Sequence, residues 1–252
     1  LSGTNGYTGG TTIGAGTLIA QGSGSLGTGT VYLNGGTLSL QANSGTYGNA
    51  VTVGGDASIV TDRLTAGVGV TQALGVLTIG TNTLGISTGG TNTTSGTAGL
   101  TFSSTALTGN AIINTTTSTN ALVQTTLGTV TGSGKSLTIG GTGNTTLSAL
   151  NTSTSGALTK NDSGTLTISG SSSYTGTTAL NAGVLTLTGG ALSSGAVTLT
   201  NGTLNDNTIG GLSTSTNLTV NGGTANINYD QTVLNLNGSG GQVVIANGKT
   251  LT

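Results

Sequence analysis

Short apolar runs that alternate with polar residues return about every 20 residues along this chain, and Gly, Asn or Ser closes each one. Val31-Tyr32-Leu33, Leu38-Ser39-Leu40, Val51-Thr52-Val53, Leu77-Thr78-Ile79, Leu166-Thr167-Ile168 and Val184-Leu185-Thr186-Leu187 are of this kind. Runs of three to five residues with period-two alternation between turn residues predict strands. A unit that short cannot bury its apolar face alone, but copies stacked on one another share a continuous interior. The expectation is all-β: one continuous right-handed parallel β-helix (a β-solenoid) over residues 1–252, with about 12 coils of roughly 20 residues. Leu, Val, Ile and Ala are expected inside, and Thr, Ser and Asn outside.

Composition removes the competing fold classes. Gly (49 residues), Thr, Asn, Ser and Val are poor helix formers, and Pro, Cys, Met, Trp and His are absent. Disordered chains combine low hydrophobicity with high net charge, whereas this chain is 33% apolar with a net charge of −1. Arg63, Lys135, Lys160 and Lys249 are the whole cationic inventory, too little for a nucleic-acid footprint. No apolar run approaches the roughly 18 residues of a membrane span. The chain opens inside a motif at Leu1, has no Met and shows no signal peptide, which predicts a piece of a longer polypeptide.

One stretch is repeated. Gly164–Thr188 reads strand, small-residue bend with Tyr174, strand; in Leu1–Ala20 the residues Tyr7, Thr8, Gly9, Thr11, Ala15, Gly16 and Leu18 match Tyr174, Thr175, Gly176, Thr178, Ala182, Gly183 and Leu185. More matches follow at nearly one offset: Val31–Leu38 with Val197–Leu204, Asn49–Asp62 with Asn217–Asp230, and Leu77–Leu84 with Val244–Leu251. They predict a degenerate super-repeat of about 167 residues, the first period over 1–167 and the second beginning in 168–252. In 87–163 the pattern is weaker and the corners are longer and more polar, so protruding loops are expected there.

The stretch Gly156–Leu187 resembles the autotransporter-associated β-strand repeat, also called the passenger-associated transport repeat. Leu158, Lys160, Gly164, Leu166, Ile168, Ser169 and Gly170 fill the first part of that family's pattern; Tyr174, Thr175, Gly176 and Thr178 fill the second; Gly183 and Leu185 fill the third. Asp162 stands where the family has glycine. The copy at Leu1–Ala20 carries the later two thirds only, through Tyr7, Gly9, Gly16 and Leu18. The resemblance implies a β-helical passenger segment, secreted or on the outer surface of a Gram-negative-type bacterium, with a role in secretion and folding rather than catalysis.

Chemistry is scarce. Without His, Cys or Glu, acid–base work would fall to Asp56, Asp62, Asp162, Asp206 and Asp230, which read as corner residues bonded to backbone amides. Only Asp62 has a charged neighbour, Arg63; at the matching Asp230 the neighbour is Gln231. No catalytic, cofactor or metal residues are assigned. The calcium-binding β-roll needs an Asp in every repeat, and Gly132–Lys135 lacks the spacing and the following helix of a phosphate loop. Tyr7 and Tyr174 can stack on a sugar, but they read first as structural plugs at the bend. The expected role is thus a non-catalytic stalk or filament segment, continued covalently or end to end by further coils and able to self-associate into fibres. The alternative is an adhesin that binds glycan or matrix through loops in 87–163. A remote one is an ice-binding array built on Thr165-Leu166-Thr167, Thr186-Leu187-Thr188 and Thr198-Leu199-Thr200, whose spacings do not hold one register.

Overall fold

The structure, a computed structural model, describes residues 1–153 and 155–252. They form 29 strands and no helix, so none is long and apolar enough to cross a membrane. The strands pair in parallel and stack as a β-solenoid of about 11 turns of ~21 residues. Two compact units, Leu1–Gly128 and Thr129–Thr252, divide the chain.

In the first unit one sheet stacks Thr11–Ile13, Val31–Leu33, Val51–Val53, Leu77–Ile79 and Ser104–Leu107 in that order, and a second stacks Thr17–Ala20, Thr37–Leu40, Ala57–Thr61, Thr83–Thr88 and Ala111–Thr116. A third holds Thr71–Leu74, Thr97–Phe102 and Leu122–Thr126. Strands of three to six residues suffice because every inward side chain meets its counterpart on the next coil. Leu38 pairs with Ile59, for example, and both are fully buried. The coil is not uniform. Thr11 pairs with Val31 and Val31 with Val51, steps of 20 residues, but Val51 pairs with Leu77 and Leu77 with Thr105, steps of 26 and 28. The extra length forms a small two-stranded sheet, Gly67–Val68 with Thr93–Ser95. The irregular part therefore starts at residue 62, ahead of the expected 87, and the polar stretch Thr88–Gly99 carries the strand Thr93–Ser95 and the start of Thr97–Phe102, with non-strand residues at 89–92 and 96.

The second unit is regular. Leu137–Gly140, Leu158–Lys160, Thr177–Leu180, Ala196–Leu199, Asn217–Val220 and Asn235–Asn237 form one sheet, and Asn144–Leu147, Thr165–Ile168, Val184–Leu187, Thr203–Asp206, Thr224–Ile227 and Gln242–Ile245 another. Thr129–Thr131 pairs with Ala149–Asn151 on the remaining side. From Tyr174 onward that side is held by single bridges, Ser153 to Tyr174 and Leu192 to Leu212. Residues 129–163, expected to carry long loops, are ordinary coils. Asparagine ladders run along the outside: Asn181 donates to Asn161, Asn226 to Asn205, Asn228 to Asn207 and Asn235 to Asn217, at 2.6–2.9 Å. Each amide donates to the coil before it, so the ladders share one polarity and join coils without charge.

The expectation that Thr and Ser lie outside needs correction. Thr61, Thr88, Thr115, Thr125, Thr145, Thr178 and Thr216 are among the buried residues. Outward Thr columns do form, Thr146, Thr167 and Thr186 in register, but Asn205 and Asn226 continue that column. Thr198 lies on the other sheet, stacked between Ala179 and Thr219, which removes it from any single flat threonine array.

Candidate functional site

The repeated motif is the one feature that sequence reasoning singled out, and its copy in the second unit is built from three corners. The first is Lys160. It closes the strand Leu158–Lys160 on the inward face, in a column between Ile139 and Leu180, and is 1% exposed. A buried ammonium needs acceptors. Its Nζ finds them in the carbonyls of Asn161 and Asp162, the latter at 2.8 Å. Burial lowers its pKa to about 8, against the opposing pull of Asp162.

Asp162 follows at φ +58°, the left-handed region in which glycine is usual. This accounts for the motif's departure there. An Asp tolerates that conformation better than most residues, and its Oδ2 accepts the Gly141 amide of the preceding coil at 2.8 Å. Gly183, at φ +74°, closes the same corner from the next coil; a Cβ there would stand 2.3 Å from the Asp162 carbonyl and 2.9 Å from the Lys160 Nζ. At Gly164 it would stand 2.1 Å from the Gly143 carbonyl. These glycines are set by approach of neighbouring coils.

The second corner is Tyr174. Its ring is 1% exposed and its hydroxyl bonds the Thr178 Oγ1 at 2.5 Å. Thr178 is itself inward, stacked between Leu158 and Val197, where a lone hydroxyl would be costly. The Tyr-Thr-Gly-x-Thr spacing thus has a physical meaning: the tyrosine fills the bend and satisfies the threonine four residues on. Burial raises the tyrosine's pKa. Gly176 lies against the preceding coil, where a Cβ would come within 2.1 Å of the Gly156 carbonyl. Gly170 packs likewise on the Ser148 carbonyl, and Leu166, Ile168 and Leu185 are core residues. A shallow depression lined by Ser153, Ser173, Tyr174, Thr175 and Ser193 opens at the bend.

In the first unit the same letters sit in a looser setting. Tyr7 bonds Thr11 Oγ1 at 2.8 Å, the counterpart of the Tyr174 bond, but its ring is 37% exposed. Leu18 is half-buried, and a Cβ on Gly9 or Gly16 would meet nothing within 4 Å, so Gly16 rests on its φ of +70° alone.

The carboxylates are coil-to-coil staples. Asp56 accepts the Thr83 amide, Asp62 the Thr93 amide and hydroxyl, and Asp230 the Thr250 amide and hydroxyl. Those bonds hold Asp230 below the usual carboxylate range. Asp206 differs, and sequence gave no signal for it. It points into the core between Leu187 and Ile227, its Oδ2 has no hydrogen-bond partner, and burial raises its pKa to about 6. No three of these groups gather among the described residues. The first unit also presents a groove lined by Gly96, Thr97 and residues 117–122, beside the exposed Val68 and Leu122.

The sequence model of the passenger-associated transport repeat matches residues 1–20 and 158–187, the two motif copies. Neither the curated proteins nor the solved structures gave a match.

Proposed function

Taking two passenger-associated transport repeats on a β-solenoid as premise, we propose that this chain is a non-catalytic stalk segment of an autotransporter-like passenger, displayed at or beyond the outer surface of a Gram-negative-type bacterium. One observation carries the reading. The motif's polar groups are spent inside: Lys160 on two carbonyls and Tyr174 on Thr178, while Gly164, Gly176 and Gly183 sit against neighbouring carbonyls. Lys160 and Tyr174 close the corners of their own coil, and the three glycines let the neighbouring coil pack against those corners. The uncharged asparagine pairs add coil-to-coil bonds that salt does not screen.

The super-repeat of about 167 residues belongs to the same reading, and local geometry supports it. Tyr7 and Tyr174 make the same bond to a threonine, Asp62 and Asp230 staple a threonine in the same way, and Leu26 and Leu192 are both fully buried. Within the 252 residues the strands Asn235–Asn237 and Gln242–Ile245 have a partner on one side, which leaves Leu234, Leu236, Val244 and Ile245 exposed. The fold is compatible with a further coil on such an edge, and the stalk we propose includes one, covalent or from a second copy.

The test is display of the full parent chain on intact cells, followed by antibody and by resistance to external protease. Variants at Lys160 and Tyr174 are expected to lower the displayed, resistant fraction in step with their loss of stability. A variant that keeps stability and display but loses binding of a glycan would overturn the stalk reading in favour of an adhesin. The groove at residues 96–122 with Val68 and Leu122 is the observation that favours that second reading.

A further inference from the structure

Asparagine fills two kinds of place on this solenoid. In the ladders each side chain is held by the coil beside it: Asn181 by Asn161, Asn226 by Asn205, Asn235 by Asn217. Asn201 has no such neighbour. It lies two residues past Leu199, and the pairing of Leu199 with Leu180 and Val220 puts Ala182 beside it on the coil before and Gly222 on the coil after. Asn201 is exposed, and its Oδ1 turns back along its own chain to accept the Gly202 amide at 2.8 Å.

That bond brings together the two ends of a cyclisation. The Gly202 nitrogen stands 2.8 Å from Oδ1, and the Asn201 Cγ is the carbon bonded to that oxygen. A nucleophile and an electrophile held in contact gain a large effective concentration. Gly202 has no side chain to shield its nitrogen, and its φ of +90° is one that glycine adopts freely. The backbone bonds to the preceding coil run from Thr200, Asn201 and Thr203 and pass over the Gly202 amide.

Three other Asn-Gly pairs lack this arrangement. Asn5 spends its amide on the Ser25 carbonyl at 2.7 Å. Asn34 turns its Oδ1 to the next coil, where a Cβ on Gly54 would stand 2.4 Å from it. At Asn221 both groups are engaged: Oδ1 accepts the Ser239 hydroxyl at 3.4 Å, and the Gly222 amide donates to the Leu199 carbonyl at 3.3 Å.

We propose that the Asn201-Gly202 pair is a self-modifying site, at which the chain converts its own asparagine to aspartate and isoaspartate through a succinimide. The Gly202 nitrogen gives up its proton and bonds to the Asn201 Cγ. The Cγ–Nδ2 bond breaks, and Nδ2 leaves as ammonia with that proton. Water then opens the ring. Attack at Cγ yields aspartate; attack at the backbone carbonyl leaves the chain running through Cγ, as isoaspartate. Either product adds a carboxylate to a chain of net charge −1. Isoaspartate also lengthens the main chain where neighbouring coils leave no slack, since a Cβ on Gly223 would stand 2.0 Å from the Gly202 carbonyl and 2.8 Å from its nitrogen. The modification therefore loosens the seam between this corner and the coil after it.

The experiment stores the whole folded chain in mildly alkaline buffer and follows the amide-to-acid mass gain at each Asn-Gly pair by peptide mapping. Asn201 is expected to convert at least about tenfold faster than Asn5, Asn34 and Asn221. The rate should rise with pH, because the attacking nitrogen must lose its proton. In urea, where the fold no longer sets these geometries, the four rates should converge. Asn201→Ala repeats the residue that the preceding coil has at Ala182, so it should fold and show no gain at this corner. Amide exchange over residues 217–227 should quicken in the aged wild type and not in the aged variant. A folded chain in which Asn201 converts no faster than the other three, or one whose lead persists in urea, overturns the site. Unchanged exchange in a fully converted chain overturns the loosening.

Discussion

The two motif copies share their letters and their tyrosine-to-threonine bond, yet they differ in what surrounds them. In the second unit the strands Thr177–Leu180 and Val184–Leu187 are each flanked by a strand on both sides, and Tyr174 is sealed by a bridge to Ser153 on the preceding coil. Within the 252 residues, Thr11–Ile13 and Thr17–Ala20 each have one neighbouring strand, and Tyr7 is partly exposed. The bond is made by four residues of chain; the burial that makes it valuable comes from the coil next door. A hydroxyl pair is worth little in water and more where neither partner has an alternative. The motif is thus a device whose energy depends on being stacked between coils.

The sharpest way to break this comparison is to remove the ring. Tyr174→Ala is expected to cost about 3–5 kcal/mol, because it opens a core cavity and strands the Thr178 hydroxyl. Tyr7→Ala should cost less than about 1 kcal/mol, as for an exposed side chain. Urea unfolding combined with site-resolved hydrogen exchange measures both, and equal losses would refute the stacking argument. Next come the glycines: Gly176→Ala forces a methyl against the Gly156 carbonyl and should cost about 3 kcal/mol, whereas Gly9→Ala should stay within about 0.5 kcal/mol.

Asp206 sharpens the contrast through pH. Two residues past the Val31–Leu38 and Val197–Leu204 match, the first unit has the buried Leu40 and the second has Asp206. The folded carboxyl titrates near pH 6, above its unfolded value of 3.8, so the native state holds its proton more tightly. Its stabilising contribution is complete below about pH 4 and is lost as pH rises through 6, by up to about 3 kcal/mol. Asp206→Asn is expected to flatten that limb of the stability profile between pH 4 and 6, measured by urea midpoints at each pH. The smallest effect is the hydroxyl alone. Tyr174→Phe should cost about 1–2 kcal/mol and Tyr7→Phe within about 0.5 kcal/mol, read by the same titration.

Much of this was legible in the sequence. Leu166, Ile168 and Leu185 were readable as core from period-two alternation, and the stacked coil from its recurrence. The sequence reads both tyrosines as structural plugs at a bend, and the structure buries Tyr174 there while leaving Tyr7 partly exposed. The sequence reading put the irregular corners in 87–163 and assigned nothing to residues 62–70; the pairing of Val51 with Leu77 shows the extra length there. Thr178 was legible as a motif residue but not as an inward one, since threonine suits either face of a strand.

What the chain dictates by itself is local: alternating runs make strands, Gly, Asn and Ser make corners, and a period near 20 residues makes them stack. What only the tertiary structure decides is which polar groups face inward and what answers them. Lys160 meets carbonyls beside it, Asp162 an amide 21 residues back, Asp62 a threonine 31 residues on, and Asp206 nothing for its second oxygen. The reason is physical. A strand's two faces are fixed by backbone geometry within a few residues, but a side chain's partner lies one coil away, and the length of that coil varies from corner to corner.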